Sequence, residues 1–194
     1  MAPSPSVFAP HGYDEAINYL RLAADKVRPH LLDALDASDE KSVGKLVLPG
    51  LPSSSANVKG IVLLNYPPTG FEGRTITHKK EGKFLSPTLE SLQVALRTVD
   101  CAIEEYLIID RFHLTVPVGT VVHKLEQALE SGSGCKEWKE FERAQFEMKQ
   151  LLVNELPSTA AVLIASKSAE AYHQRYVFVC CFLFVCVYLF VYFF

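Results

Sequence analysis

Apolar residues recur at helical spacing in several stretches of this chain, and the first stretch begins at Asp14, a residue type that favours helix N-caps. Its apolar positions follow one another at steps of three or four residues, as on one face of an amphipathic helix. They are Ile17, Leu20, Ala24, Val27, Leu31 and Leu35. Because Pro29 lies inside the stretch and removes a helical hydrogen bond, we expect a kink there or two short helices that meet.

The second stretch starts at Ser86 and Pro87, a capping residue followed by a residue that suits the first helical position. Its apolar positions have the spacing of a heptad repeat, and we call them the interaction seam. They are Leu89, Leu92, Leu96, Val99, Ile103 and Tyr106. The spacing predicts a helix that runs to about Asp110. The seam has two interpretations: the buried face of a bundle helix, or a surface of contact between chains.

A third helix is predicted over residues 135–156, where the charged side chains, including Lys149, fall outside the apolar stripe. That stripe consists of Trp138, Phe141, Met148, Leu152 and Leu156. After Pro157, small residues recur at every fourth position and predict a further helix that continues toward the C-terminus. They are Ala161, Ala165 and Ala169.

Extended structure is predicted in only a few places. Residues 60–66, GIVLLNY, form a short apolar run that ends at two prolines, which is typical of a strand, and residues 74–78 alternate in a way that suits pairing with it. Residues 112–118 alternate as well. We therefore expect a mainly α domain of four or five helices packed as a bundle, with a short strand pair or extended segment near residues 60–78.

The distribution of proline, glycine and serine suggests the domain boundaries. Residues 1–12 read as a flexible arm, and residues 13–175 as one helical domain that contains a linker at residues 38–59. Residues 177–194 form a separate apolar helix in this interpretation.

The apolar run of residues 177–194 contains no charged residue, no glycine and no proline. As a helix it would span about 27 Å, close to the hydrocarbon thickness of a thin bilayer. Lys167, His173 and Arg175 precede it, so the positive-inside rule predicts a tail anchor in contact with membrane lipid, with the domain on the cytosolic face of an internal membrane. The alternative interpretation is that the run is a translated artefact, since it contains only Val, Phe, Cys, Leu and Tyr. In that case we expect a cytoplasmic protein.

Composition excludes several classes of function. The net charge of −3 gives no reason to expect a nucleic-acid partner. The spacing of cysteine and histidine matches no zinc site, and no phosphate-binding loop, nucleophile elbow or EF-hand pattern is present. We therefore predict no catalytic, cofactor-binding or metal-ligating residues and no cofactor. Asp110, His113 and His123 are the only titratable group that suggests a site, and we interpret them as ordinary surface or core residues.

Two functional hypotheses follow. The first is a non-enzymatic helical interaction module, tail-anchored in a membrane, that contacts protein partners or a second copy through its helix faces. The second is a soluble regulatory subunit or an enzyme with scattered site residues. Residues 96–99, LRTV, are similar to a helix segment of the 11S-type proteasome activators, a resemblance that implies a regulatory subunit of an intracellular complex. The activation-loop pattern of that family is absent from the sequence, and Pro117 would interrupt the matching helix.

Overall fold

A parallel β-sheet forms the centre of the domain in the computed structural model, which describes residues 8–36, 41–53, 58–71 and 74–164. The three strands of the sheet are β1 (Gly60–Leu64), β4 (Tyr106–Asp110) and β5 (Ala161–Ile164). They lie in the order β4-β1-β5. Both outer strands run parallel to β1, with Leu64 opposite Asp110 at one end of the β1–β4 pair.

Helices cover both faces of this sheet. Among the described residues they are α1 (Tyr13–Leu35), α2 (Pro87–Arg97), α3 (Val122–Ser131) and α4 (Cys135–Asn154). One face packs on α1, α3 and α4 through Ile61 and Leu63 of β1, and the other packs on α2 through Val62 and Leu64. Strands that are buried on both faces are nearly all apolar, as β1 and β4 are.

Two crossover connections join the parallel strands. The first leaves β1, passes a short hairpin of β2 (Lys79–Lys80) and β3 (Lys83–Phe84), and returns through α2 to β4. The second leaves β4 and returns through α3 and α4 to β5 on the other side of β1. Because the two crossovers use opposite faces, the domain is a doubly wound α/β fold.

The prediction of a mainly α bundle is therefore wrong. The sequence around Ala161, Ala165 and Ala169 was predicted to be helical, whereas Ala161–Ile164 is strand β5 and pairs with β1 from Gly60 onward. A run of four apolar residues suits a buried strand as well as a helix, and pairing with β1 decides between them. The sheet, with its strands from distant parts of the chain, replaces the single strand pair expected near residues 60–78.

The interaction seam does not lie on one helix. Leu89, Leu92 and Leu96 are buried on α2, but α2 ends at Arg97, where the amide of Cys101 donates to the carbonyl of Leu96. The rest of the seam lies beyond that turn. Val99 is 65% exposed, Ile103 starts a short 3-10 helix, and Tyr106 begins β4.

The predictions for the cap of α2 and for α4 and α1 agree better with the structure. The Oγ of Ser86 accepts a hydrogen bond from the amide of Leu89, as its capping role requires, and α4 occupies nearly the whole of residues 135–156. Helix α1 runs as a single helix through Pro29, so two separate helices do not form there.

Part of the predicted linker lies along the outer edge of β4. Gly50 and Ile108 exchange a pair of backbone hydrogen bonds of 2.8 and 2.9 Å, and the amide of Val47 donates to the carbonyl of His113. The predicted arm also contributes to the core, because Phe8 is 3% exposed. The 165–175 end of the predicted domain and the predicted anchor at 177–194 lie outside the described residues. Among the residues that are described, no helix is both long and apolar enough to cross a bilayer.

Candidate functional site

Buried polar side chains gather at the carboxyl end of the parallel strands, the edge where doubly wound domains bind ligands. Asp110 is the last residue of β4, and Asn65 follows the last residue of β1. The two strand ends are joined by backbone hydrogen bonds, since the amide of Phe112 donates to the carbonyl of Asn65 at 3.0 Å. We call the group of Asn65, Asp110, His113 and Lys149 the carboxyl-edge cluster.

The carboxyl group of Asp110 is the most unusual member of this cluster. The residue is 1% exposed, and neither carboxyl oxygen has a hydrogen-bond partner within the described part of the chain. Burial raises the pKa of Asp110 to about 8, although the positive charge of Lys149 acts in the opposite direction. At neutral pH the group is therefore mostly a neutral acid, which both donates and accepts hydrogen bonds.

Lys149 reaches the cluster from α4. Its Nζ donates a hydrogen bond of 2.7 Å to the carbonyl of Arg111, the residue after β4. Burial lowers the pKa of Lys149 to about 7, while the negative charges of Asp110 and Glu126 resist that change. Arg111 in turn forms an ion pair with Glu126 of α3. The lysine thus titrates near neutrality beside an acid that does the same.

His113 completes the cluster and is fully buried. Its Nδ1 lies 2.9 Å from the carbonyl oxygen of Val47, and its backbone amide donates to Oε1 of Gln145 on α4. Since a carbonyl oxygen only accepts, Nδ1 carries the proton and Nε2 is left as an acceptor. Nε2 has no partner among the residues described. Burial and the charge of Lys149 hold the pKa of His113 well below its ordinary value.

The cluster therefore combines groups that can give and take protons near neutral pH. Asp110 offers a proton and Lys149 exchanges one close to pH 7, while Nε2 of His113, whose pKa is held low by burial, accepts a hydrogen bond without taking up a proton. Lys149 perturbs the pKa of both Asp110 and His113, so its charge is coupled to each of these side chains.

The structure separates the three residues that the sequence brought to notice. Asp110 and His113 share the cluster, but they lie at a strand end and in the extended segment after it, not on one helix face. His123 is exposed on α3. Lys149 was predicted to lie outside the apolar stripe of its helix, yet it is only 7% exposed. Asn65 and Gln145 gave no signal in the sequence beyond being polar residues next to apolar runs.

Two other places are candidates for binding. A groove of about 450 Å³ lies between α1 and α4 and is lined by both apolar and acidic side chains. Its lining includes Tyr19, Leu151, Glu15 and Glu147. Elsewhere, Lys79 of the β2–β3 hairpin pairs with Glu104 and lies over the ring of Phe84. In the described ranges no three His, Cys, Asp or Glu side chains come together as metal ligands would.

Comparison with known proteins gives no relative. No family model, no curated protein and no solved structure matches the chain.

Proposed function

We propose that this chain is an enzyme that acts on small molecules and that its active site is the carboxyl-edge cluster. The observation that carries the proposal is the Asp110 carboxyl group, which is buried at the ligand-binding edge of a doubly wound sheet without a hydrogen bond from any described residue. A buried polar group that lacks a partner costs about 1–3 kcal/mol of stability. Such a cost is typical of a group that is kept for binding or chemistry.

The chemistry that this cluster supports is proton transfer. Asp110, as a neutral acid, protonates a bound substrate, and Nε2 of His113 accepts a hydrogen bond that orients it. Lys149 supplies positive charge that stabilises the carboxylate formed when Asp110 gives up its proton. The hydrogen bond from Lys149 to the carbonyl of Arg111 holds the ammonium at the end of β4.

The test is a ligand screen on the full-length chain by thermal unfolding, because a ligand of the folded state raises the melting temperature. Each compound is tested on the unmodified protein, on Asp110→Asn and on a matched control, Asp25→Asn, which changes an exposed aspartate of α1. We expect ligands that stabilise the unmodified protein and the control but not Asp110→Asn. If every ligand stabilises all three proteins equally, the cluster is not the site.

A second candidate function keeps the membrane prediction. It is supported by residues 177–194, which carry no charge over a length that suits a bilayer. In this proposal the domain is held on the cytosolic face of an internal membrane and contacts protein partners or a second copy of itself. Alkaline carbonate extraction of membranes that contain the full chain tests it. Retention in the membrane is expected, and release into the supernatant would contradict it.

A single substitution sharpens that experiment. Val185→Arg puts a charge near the middle of the run, which disfavours insertion by about 2.5–3.5 kcal/mol on translocon scales. The variant should leave the membrane fraction, whereas Val185→Leu should remain. Equal retention of both variants would show that the run is not what holds the chain there.

A further inference from the structure

We propose that the ligand of the carboxyl-edge cluster is a small hydrogen-bond donor, such as an amine, amide or amidine, and not a phosphate or carboxylate. This inference rests on the proposed function, since it names the class of ligand for the same site. It is carried by the kind of polar atom that the cluster leaves unmatched.

Within the cluster the unmatched atoms are acceptors, whereas the indole N–H of Trp138, a buried donor without a partner among the described residues, belongs to α4 outside the cluster. Oδ1 of Asn65, Nε2 of His113 and both carboxyl oxygens of Asp110 are buried and have no hydrogen-bond partner within the described residues. An amide oxygen can only accept, and Nε2 can only accept while Nδ1 donates to the carbonyl of Val47. When Asp110 is protonated, its O–H donates and its other oxygen remains an acceptor. A ligand that satisfies these atoms must therefore bring N–H or O–H groups.

The cations near the cluster already have acceptors. Lys149 donates to the carbonyl of Arg111 at 2.7 Å, and Arg111 forms an ion pair with Glu126. A phosphate or carboxylate at the cluster would meet the lone pairs of Asn65 and His113 and would oppose ionisation of Asp110. This differs from the usual ligand of a doubly wound sheet, which is a phosphate held by backbone amides at a helix N-terminus.

Burial limits the size of the ligand. Asp110 is 1% exposed and His113 is 0% exposed, so a ligand reaches them only when the domain opens locally, and a molecule of a few heavy atoms needs the smallest opening. Methylammonium, acetamidine and acetamide have this size and carry two or more N–H donors. Inorganic phosphate and acetate are acceptor-rich probes of comparable size.

The charge of the ligand adds a second readout. A cationic donor favours the ionised form of Asp110, so its binding releases a proton at a pH below the pKa of that group. The contribution of Asp110 alone should then raise the affinity for acetamidine about tenfold per pH unit between about pH 6 and pH 7.5. Titration of His113 and Lys149 adds its own pH dependence to this contribution. The affinity for the neutral donor acetamide should change much less over the same range.

The experiment measures binding of each probe to the full-length chain by isothermal titration calorimetry, with the unmodified protein, Asp110→Asn and the exposed control Asp25→Asn. We expect methylammonium, acetamidine and acetamide to bind the unmodified protein and the control. Asp110→Asn should weaken the binding of acetamidine at least about tenfold, because a charge-assisted hydrogen bond is lost. Asn65→Ala, which removes a different acceptor, should weaken the binding of all three donor probes. This second variant keeps the test decisive if Asp110→Asn does not fold.

The outcomes separate this inference from the proposed function. If phosphate or acetate binds in a way that depends on Asp110 or Lys149, the proposed ligand class is wrong, whereas the proposal that the cluster is the site is supported. Donor probes that bind with the same affinity to all the variants would overturn the inference, because the acceptors of the cluster would not be what holds them. If no probe binds the unmodified protein, both the ligand class and the site are wrong.

Discussion

The ammonium of Lys149 lies 2.7 Å from the carbonyl oxygen of Arg111, and this contact joins the C-terminal part of α4 to the residue that follows β4. The aliphatic part of the lysine is buried together with its charged end, since the whole residue is 7% exposed. An amine in that position is costly to protonate, which explains why the pKa of Lys149 falls to about 7.

Replacing Lys149 should change how stability depends on pH. Between about pH 7 and pH 10.5 the unfolded chain binds one more proton at this lysine than the folded chain, so Lys149 makes the free energy of unfolding rise with pH. In Lys149→Met this rise of up to about 1.4 kcal/mol per pH unit should disappear. Urea unfolding at several pH values measures it. Lys139→Met, at an exposed position of α4, is the control and should keep the rise.

Asp110 should have the opposite effect over a lower range of pH. Between about pH 3.8 and pH 8 the folded chain binds one more proton at this carboxyl group than the unfolded chain, so Asp110 makes the free energy of unfolding fall as pH rises. Asp110→Asn removes that fall. The stability of the variant relative to the unmodified protein should therefore increase steadily from pH 4 to pH 8 and then level off.

The contribution of His113 largely cancels in that comparison, because both proteins retain the same buried imidazole. A relative stability of Asp110→Asn that stays constant from pH 4 to pH 8 would show that the carboxyl group is not held in its neutral form.

The aromatic group formed by Phe112, Trp138 and Phe141 should make a large contribution to stability. Phe141 of α4 lies with its ring centroid 5.8 Å from that of Trp138 and 6.2 Å from that of Phe112, and it is fully buried. Phe141→Ala should lower the free energy of unfolding by about 3–5 kcal/mol, because it leaves a cavity. Phe146→Ala changes the same residue type on the same helix at a position that is 38% exposed.

The Phe146→Ala change should cost much less, on the order of 1 kcal/mol or below. Denaturant unfolding of the two variants side by side gives the comparison. Equal losses in the two variants would mean that the ring of Phe141 is not packed as described.

A substitution in the interaction seam tests whether the seam belongs to the core of the domain or is a surface of contact between chains. Leu96 is 4% exposed on α2, so Leu96→Asp buries a charge in the core between α2 and the sheet and should unfold the domain. Val94→Asp, on the same helix at 60% exposure, should leave the domain folded. Circular dichroism and light scattering report folding and mass. A folded Leu96→Asp variant with a reduced mass would instead support the seam as a surface of contact between chains.

The helices show what local pattern can predict. The stripes of α1 and α4 and the cap of Ser86 were read correctly because each depends on residues within a few turns of one another. Strand β1 was also expected, since its short apolar run ends at two prolines. The length of α2 was overestimated, because apolar residues after Arg97 happen to continue its spacing although they belong to the next turn and to β4.

The cluster could not have been predicted in the same way. Asp110 and His113 attracted attention as neighbours in sequence, but Lys149 and Asn65 come from other elements and reach them only after the strands have paired. The amphipathic pattern of α4 assigned Lys149 to solvent, because a helix stripe has no sharp boundary and the neighbouring segment after β4 decides which side chains are covered.

The sequence by itself determined the amphipathic helices, the first strand and the uncharged run of residues 177–194, because these features are written in the spacing of nearby residues. The tertiary structure decided the fold class and the cluster. Strand β4 is buried along its whole length, and Val162 and Leu163 of β5 are buried in the cores on opposite faces of the sheet, so neither strand shows the alternation of polar and apolar residues that would mark it as a strand. Their pairing with β1 joins residues about 46 and 101 positions apart, from Gly60 to Tyr106 and to Ala161, and only that long-range pairing buries Asp110 beside Lys149.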